Sequence, residues 1–109
     1  MVAVMVSPIN IYVGKDFSRF PTGRYATDGE SNGERFREEV LRPKLAMSTR
    51  IRIHLDDALG YGSSFLEESF GGLIRSGFTK NQLDALLEFV TADDSLREEI
   101  EGYMREATC

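Results

Sequence analysis

The chain has 109 residues, of which 41% are hydrophobic and 28% charged, the balance of a folded globular protein and not of a disordered one. That length suits one small domain with a single core, read here as residues 1–109. The formal net charge of −5 and a pI near 4.9 argue against direct nucleic-acid binding, because the 13 Lys and Arg are scattered and outnumbered by 18 Asp and Glu.

No apolar run reaches the length of a membrane span, and the apolar start MVAVMVSPINIYV has neither a basic n-region nor a small-residue cleavage site. It reads as a strand, with Ile9, Ile11 and Val13 alternating against Asn10 and Tyr12. The single cysteine, Cys109, leaves no internal disulfide, which agrees with a reducing, cytoplasmic setting.

Gly14 to Gly33 is rich in Gly, Ser, Thr, Asp and Pro, and a short second strand is expected near Gly23–Ala26. Asn32-Gly33 marks a turn. A helix follows from about Glu34, with Phe36, Val40, Leu41 and Leu45 at helical spacing. Pro43 should end or kink it near Leu41, since proline lacks an N–H and clashes with the preceding turn.

Ile51, Ile53 and Leu55 point to one side of the next strand, and Arg50, Arg52 and His54 to the other. After a Gly-rich loop, the second helix is expected from Ser64 to Arg75, with Leu66, Phe70, Leu73 and Ile74 inward and Gly77 capping its end. Gly71-Gly72 inside this helix suggests close approach to the sheet. A helical turn over Asn81–Leu87 leads to a strand at Leu86–Thr91. Ser95 and Glu98 then form an S-x-x-E capping box for a last helix whose stripe is Leu96, Ile100, Tyr103 and Met104. The alternation predicts an α/β layer fold: a small mixed or partly parallel sheet with helices packed against it.

Chemistry concentrates at Gly60-Tyr61-Gly62-Ser63-Ser64, where a strand ends and a helix begins. Gly60 and Gly62 let the backbone turn sharply and approach another molecule. Ser64 and Glu67 match a capping box, so Ser64 reads as the helix cap. Ser63 then lies outside the cap, beside the positive helix end, where a phosphate would gain from unpaired N–H groups. Such a phosphate adds about −1.5 to −2 charge next to Asp56, Asp57, Glu67 and Glu68. Asp56 and Asp57 read first as loop anchors that accept N–H bonds. Arg24 either folds back to pair with Asp56, Asp57 or a phosphate, or is solvated.

Three further segments are DFSRFPTGRY (Asp16–Tyr25), NGERFREEVLRPKL (Asn32–Leu45) and GYGSSFLEESFGGL (Gly60–Leu73). Together with the strand RIRIHLDD they resemble a bacterial STAS-like domain family of unassigned function, over about Ile9 to Ala107. They also resemble the STAS domains of anti-sigma-factor antagonists. In those antagonists a serine at the start of the corresponding helix is phosphorylated by a partner of the histidine-kinase-like ATPase fold, which ends binding. The resemblance implies Ser63 as phosphoacceptor, and a partner surface of Asp56, Asp57, Gly60, Tyr61, Gly62, Phe65 and Glu68. The antagonists have Asp where Gly62 stands and Gly where Phe65 stands.

The implied function is a non-enzymatic regulatory interaction domain with no cofactor and no metal. The alternative is a phosphorylation-independent scaffold or antitoxin-like assembly module. An enzyme of the nucleophile-elbow type is a poor match. The pattern G-x-S-x-G is absent, and the one histidine, His54, sits on a strand with no second histidine to share a metal.

Overall fold

The computed structural model describes residues 7–47 and 49–108. Residues 1–6, Ser48 and Cys109 lie outside them, and with them the part of the expected strand that falls on MVAVMV. Within the described residues β1 spans Ile9–Tyr12 and is followed by a single helical turn, α1 (Val13–Asp16).

The strand expected near Gly23–Ala26 is instead a loop closed by a 3-10 turn, Ala26–Asp28. Gly23 has φ +90°, and the Asp28 carboxylate accepts from the N–H groups of Arg24 and Tyr25 at 3.0 and 2.9 Å. With those donors satisfied locally, no neighbouring strand is needed.

Helix α2 spans residues 33–45. Asn32 caps it, its Oδ1 accepting from the Arg35 N–H at 2.8 Å. Of the two expectations for Pro43, an end to the helix or a kink near Leu41, the first is not met: the helix continues through it to Leu45. The Phe36–Leu41 stretch is π-helical, with the Arg42 N–H donating to the Arg37 carbonyl. Pro43 therefore falls at the opening of the last turn, Arg42–Leu45, where a missing N–H is tolerated.

Strand β2 (Ile51–His54) is followed by the long loop to α3, residues 63–75. α3 closes with a Schellman motif, as Gly77 suggested. Gly77 has φ +116° and donates to Ile74 O, while Phe78 donates to Leu73 O. α4 (Lys80–Leu86) carries a Thr79/Gln82 capping box and runs into β3 (Leu87–Val90). α5 (Asp94–Glu106) starts one residue before Ser95. Its cap is Asp93, not a Ser95/Glu98 box: Asp93 Oδ1 accepts from the N–H groups of Ser95 and Leu96, because a carboxylate outcompetes a hydroxyl as acceptor.

The three strands lie in the order β1-β2-β3, and both pairings are parallel. Register places Ile11, Ile53 and Phe89 side by side, and likewise Ile9, Ile51 and Leu87. This face joins the core with Phe36, Leu41, Phe65, Leu66, Phe70, Leu73, Leu83, Ile100 and Met104. The opposite face carries Asn10-Arg52-Glu88 and Tyr12-His54-Val90. There His54 stacks on Tyr12 at 4.1 Å and hydrogen-bonds Asn10 Oδ1 through Nε2 at 2.9 Å, an ordinary strand position.

Gly71 and Gly72 do not face the sheet. A Cβ on Gly71 would meet Glu67 and the Tyr103 carbonyl, and one on Gly72 would meet Arg37. The close approach is between helices. Among the described residues, no helix is long and apolar enough to cross a membrane.

Candidate functional site

The loop from β2 to α3 is fixed at its start by two carboxylates. Asp57 accepts from the N–H groups of Gly14 and Lys15 at 2.8 and 2.9 Å, which ties it to the turn after β1. Asp56 accepts from the Thr91 hydroxyl and the Ala92 N–H at 2.5 and 2.8 Å, which ties it to the end of β3. The Thr91 hydroxyl, then the Ala92 N–H, hold the Asp56 carboxyl below its usual range. Both aspartates anchor the loop across the C-terminal ends of the strands.

Tyr61 follows, half-buried, with its hydroxyl donating to the Leu55 carbonyl at 2.7 Å. Burial pushes its ionisation up, and the charges of Asp57 and Asp56 add to this. The turn itself is stitched to the segment after α1. Leu59 N–H donates to Arg19 O at 2.8 Å, and Gly62 N–H to Pro21 O at 3.1 Å. A Cβ on Gly62 would stand 3.1 Å from Thr22 Oγ1, so the lack of a side chain there permits the approach.

α3 begins at Ser63 with Gly62 as its cap and without any side-chain capping bond. The Ser64/Glu67 capping box is therefore corrected. Glu67 is drawn instead into charge-assisted bonds with Arg24 (2.5 Å) and Arg75 (2.6 Å), which outcompete a backbone N–H. Both serine side chains are exposed, and neither hydroxyl has a hydrogen-bond partner among the described residues. They line a shallow recess with Thr22, Gly23, Arg24 and Tyr25.

Arg24 does fold back toward the turn, but onto Glu67 and Glu68, not onto Asp56 or Asp57. Glu68 is buried and also takes Arg37 and, at 3.4 Å, Arg75. Phe65 is 1% exposed, packed among Phe17, Phe36 and Tyr61. Neither Phe65 nor Glu68 thus offers its side chain to another molecule in this conformation. They seat the start of α3 in the domain. The outer surface of the turn is made by Gly60, Gly62, Ser63 and Ser64.

Apolar side chains that sequence reasoning missed flank this surface. Phe20 and Leu59 are each 65% exposed, and Tyr25 is 49% exposed. Phe20 and Leu59 line one depression with Pro21, Thr22, Gly60 and Gly62. Phe20 and Tyr25 belong to a segment noted for its family resemblance, and Leu59 directly precedes Gly60. Their large apolar side chains in Gly-rich loops were the available signal. No group of acidic, His or Cys side chains that could hold a metal occurs among the described residues.

The profile of a family described as a STAS-like domain of unknown function matches residues 32–97. The chain belongs to this STAS-like family. The match runs from the cap of α2 to the first turn of α5 and so contains β2, the serine turn, α3 and β3. No curated protein and no solved structure matches the chain.

Proposed function

We propose that this STAS-like domain is a cytoplasmic, non-enzymatic regulatory module that binds a protein partner through the turn at residues 60–64. The partner class is an ATPase of the histidine-kinase-like fold, and Ser63 is the phosphoacceptor. One observation carries the reading: two exposed serine hydroxyls, without a partner among the described residues, open α3 amid exposed Phe20, Tyr25 and Leu59. Apolar side chains concentrated in one place on a small surface favour association with a protein. The helix start supplies N–H groups to an anion on Ser63. A phosphate there would add about two negative charges in the middle of an apolar contact and oppose docking, while the buried residues beneath it keep their packing.

A second reading is a scaffold or antitoxin-like module that assembles without phosphorylation. It is favoured by Gly62 and Phe65, which stand where the antagonists carry Asp and Gly. Without the Asp, no carboxylate adjoins Ser63 on its N-terminal side. The two readings separate by intact mass after incubation with a candidate ATPase and ATP. A gain of about 80 Da, the mass of one phosphate, that Ser63→Ala abolishes supports the switch. Binding without any gain supports the scaffold. No binding to such ATPases removes the partner class.

A further inference from the structure

Leu59 and Gly60 also line a second groove, to which Phe20 does not belong. Its remaining wall carries four carboxylates, Asp56 from the loop and Asp93, Asp94 and Glu99 at the start of α5, among small and apolar residues such as Ala58, Tyr61 and Leu96. The charge there is poorly compensated. Arg97 pairs with Asp94 at 2.6 Å and also donates to the Thr91 carbonyl, while Asp56, Asp93 and Glu99 bond neutral groups: Thr91 and Ala92, Ser95 and Leu96, and the Tyr103 hydroxyl. Leu59 and Gly60 line both this groove and the apolar depression holding Phe20. One ridge therefore separates an apolar seat from an acidic one.

We infer that this ridge, with its two flanking seats, reads a protein segment in which a large apolar side chain is flanked by lysine or arginine. The apolar residue would sit between Phe20 and Leu59. The basic residues would lie along Asp93, Asp94 and Glu99. The occupant follows from charge complementarity. An acidic segment would be repelled from the α5 side, and a purely apolar one would leave Asp93 and Glu99 facing it without a counter-charge. The inference rests on the reading that the turn docks a protein, and it names the chemistry of the docked segment. α5 thereby gains a role that neither the turn nor the helix start supplies.

The test is a display selection with a random 12-residue peptide library on the intact protein, followed by titration of the enriched peptides and of the candidate ATPase. Enriched peptides should place Lys or Arg beside Leu, Ile, Met or Phe. Phe20→Ser with Leu59→Ser should weaken them about tenfold or more. Asp94→Asn with Glu99→Gln should weaken them several-fold at low salt, by a factor that shrinks as salt rises above about 0.15 M. All four positions are at the surface, and an unchanged melting temperature verifies folding of the variants. The inference is overturned by enrichment of acidic or neutral peptides, by no enrichment, by indifference to the Asn/Gln pair, or by a dimer of this chain that the Ser pair dissociates. The two failures are distinct. If the ATPase binds with equal affinity to wild type and to both pairs, the docking chemistry fails and the docking reading stands. If peptides behave as expected and the ATPase does not bind, the surface stands and the partner class fails.

Discussion

Arg24 Nη1 lies 2.5 Å from Glu67 Oε1, joining the loop that bears Phe20 and Tyr25 to the second turn of α3. The same carboxylate accepts from Arg75, at the far end of that helix, at 2.6 and 3.0 Å. Glu67 is thus a bridge between an exposed loop and the helix that starts at Ser63.

Arg24→Ala removes one end of this bridge while Arg75 remains. The expected cost is about 1 kcal/mol, since the pair is only partly buried and Glu68 keeps Arg37. Urea unfolding measures it. Partner affinity should fall by more than the stability change alone explains, because the loop carrying Phe20 and Tyr25 loses its tie. Unchanged affinity would show that the loop's position is irrelevant to docking.

Acid should weaken the fold through Glu67. Arg75 first, and then Arg24, hold its carboxyl below the usual range against the opposing effect of burial. A carboxyl whose folded pKa is depressed contributes stability above its unfolded value, about 4.3, and loses it as pH falls through the folded value. Asp56 and Asp93 are lowered in the same direction. In Arg24→Gln with Arg75→Gln, the decline in urea midpoint from pH 5 to pH 3 should be shallower than in wild type. Parallel declines would assign the acid sensitivity to other carboxyls.

The caps give a clean contrast. Ser64→Ala should change stability by less than about 0.5 kcal/mol, because Ser64 makes no capping bond. Asn32→Ala should cost about 1 kcal/mol or more, since Asn32 is buried, caps α2 and donates to the Gly29 carbonyl at 2.7 Å. Thermal denaturation of the two variants in parallel decides the ranking.

Two helical glycines should respond differently to alanine. A Cβ on Gly33 would stand 2.6 Å from the Phe65 carbonyl oxygen, a backbone atom at the start of α3. Gly33→Ala should therefore cost about 2 kcal/mol or more, despite alanine's better helix propensity. On Gly72 the nearest atom is the guanidinium tip of Arg37, which can move. The loss there is a displacement of Arg37 from Glu68, which Arg24 and Arg75 still face, so Gly72→Ala should cost less than Gly33→Ala. Chemical denaturation resolves the difference.

Periodicity made most of the fold legible. The alternation of Ile51 and Ile53 with Arg52 and His54, and the helical spacing of Leu66, Phe70, Leu73 and Ile74, survive in the structure, because each pattern is a direct record of which side is buried. The strand expected near Gly23 failed because one carboxylate, Asp28, satisfied its donors. The caps at Ser64 and Ser95 failed for the same kind of reason. A motif lists the residues able to bond, while competition among all nearby acceptors and cations decides which bonds form.

From its residue order alone, this chain declared its alternating strands and helices, its family, and a serine pair at the mouth of a helix. Those features depend on neighbours a few positions apart. Only the folded molecule could reveal that Phe65 and Glu68 point inward, that Arg24 reaches Glu67 across more than forty residues, and that Phe20, Leu59 and the acidic start of α5 meet around the turn. Such meetings arise when the core closes and brings distant loops to the same end of the sheet, and no local spacing encodes them.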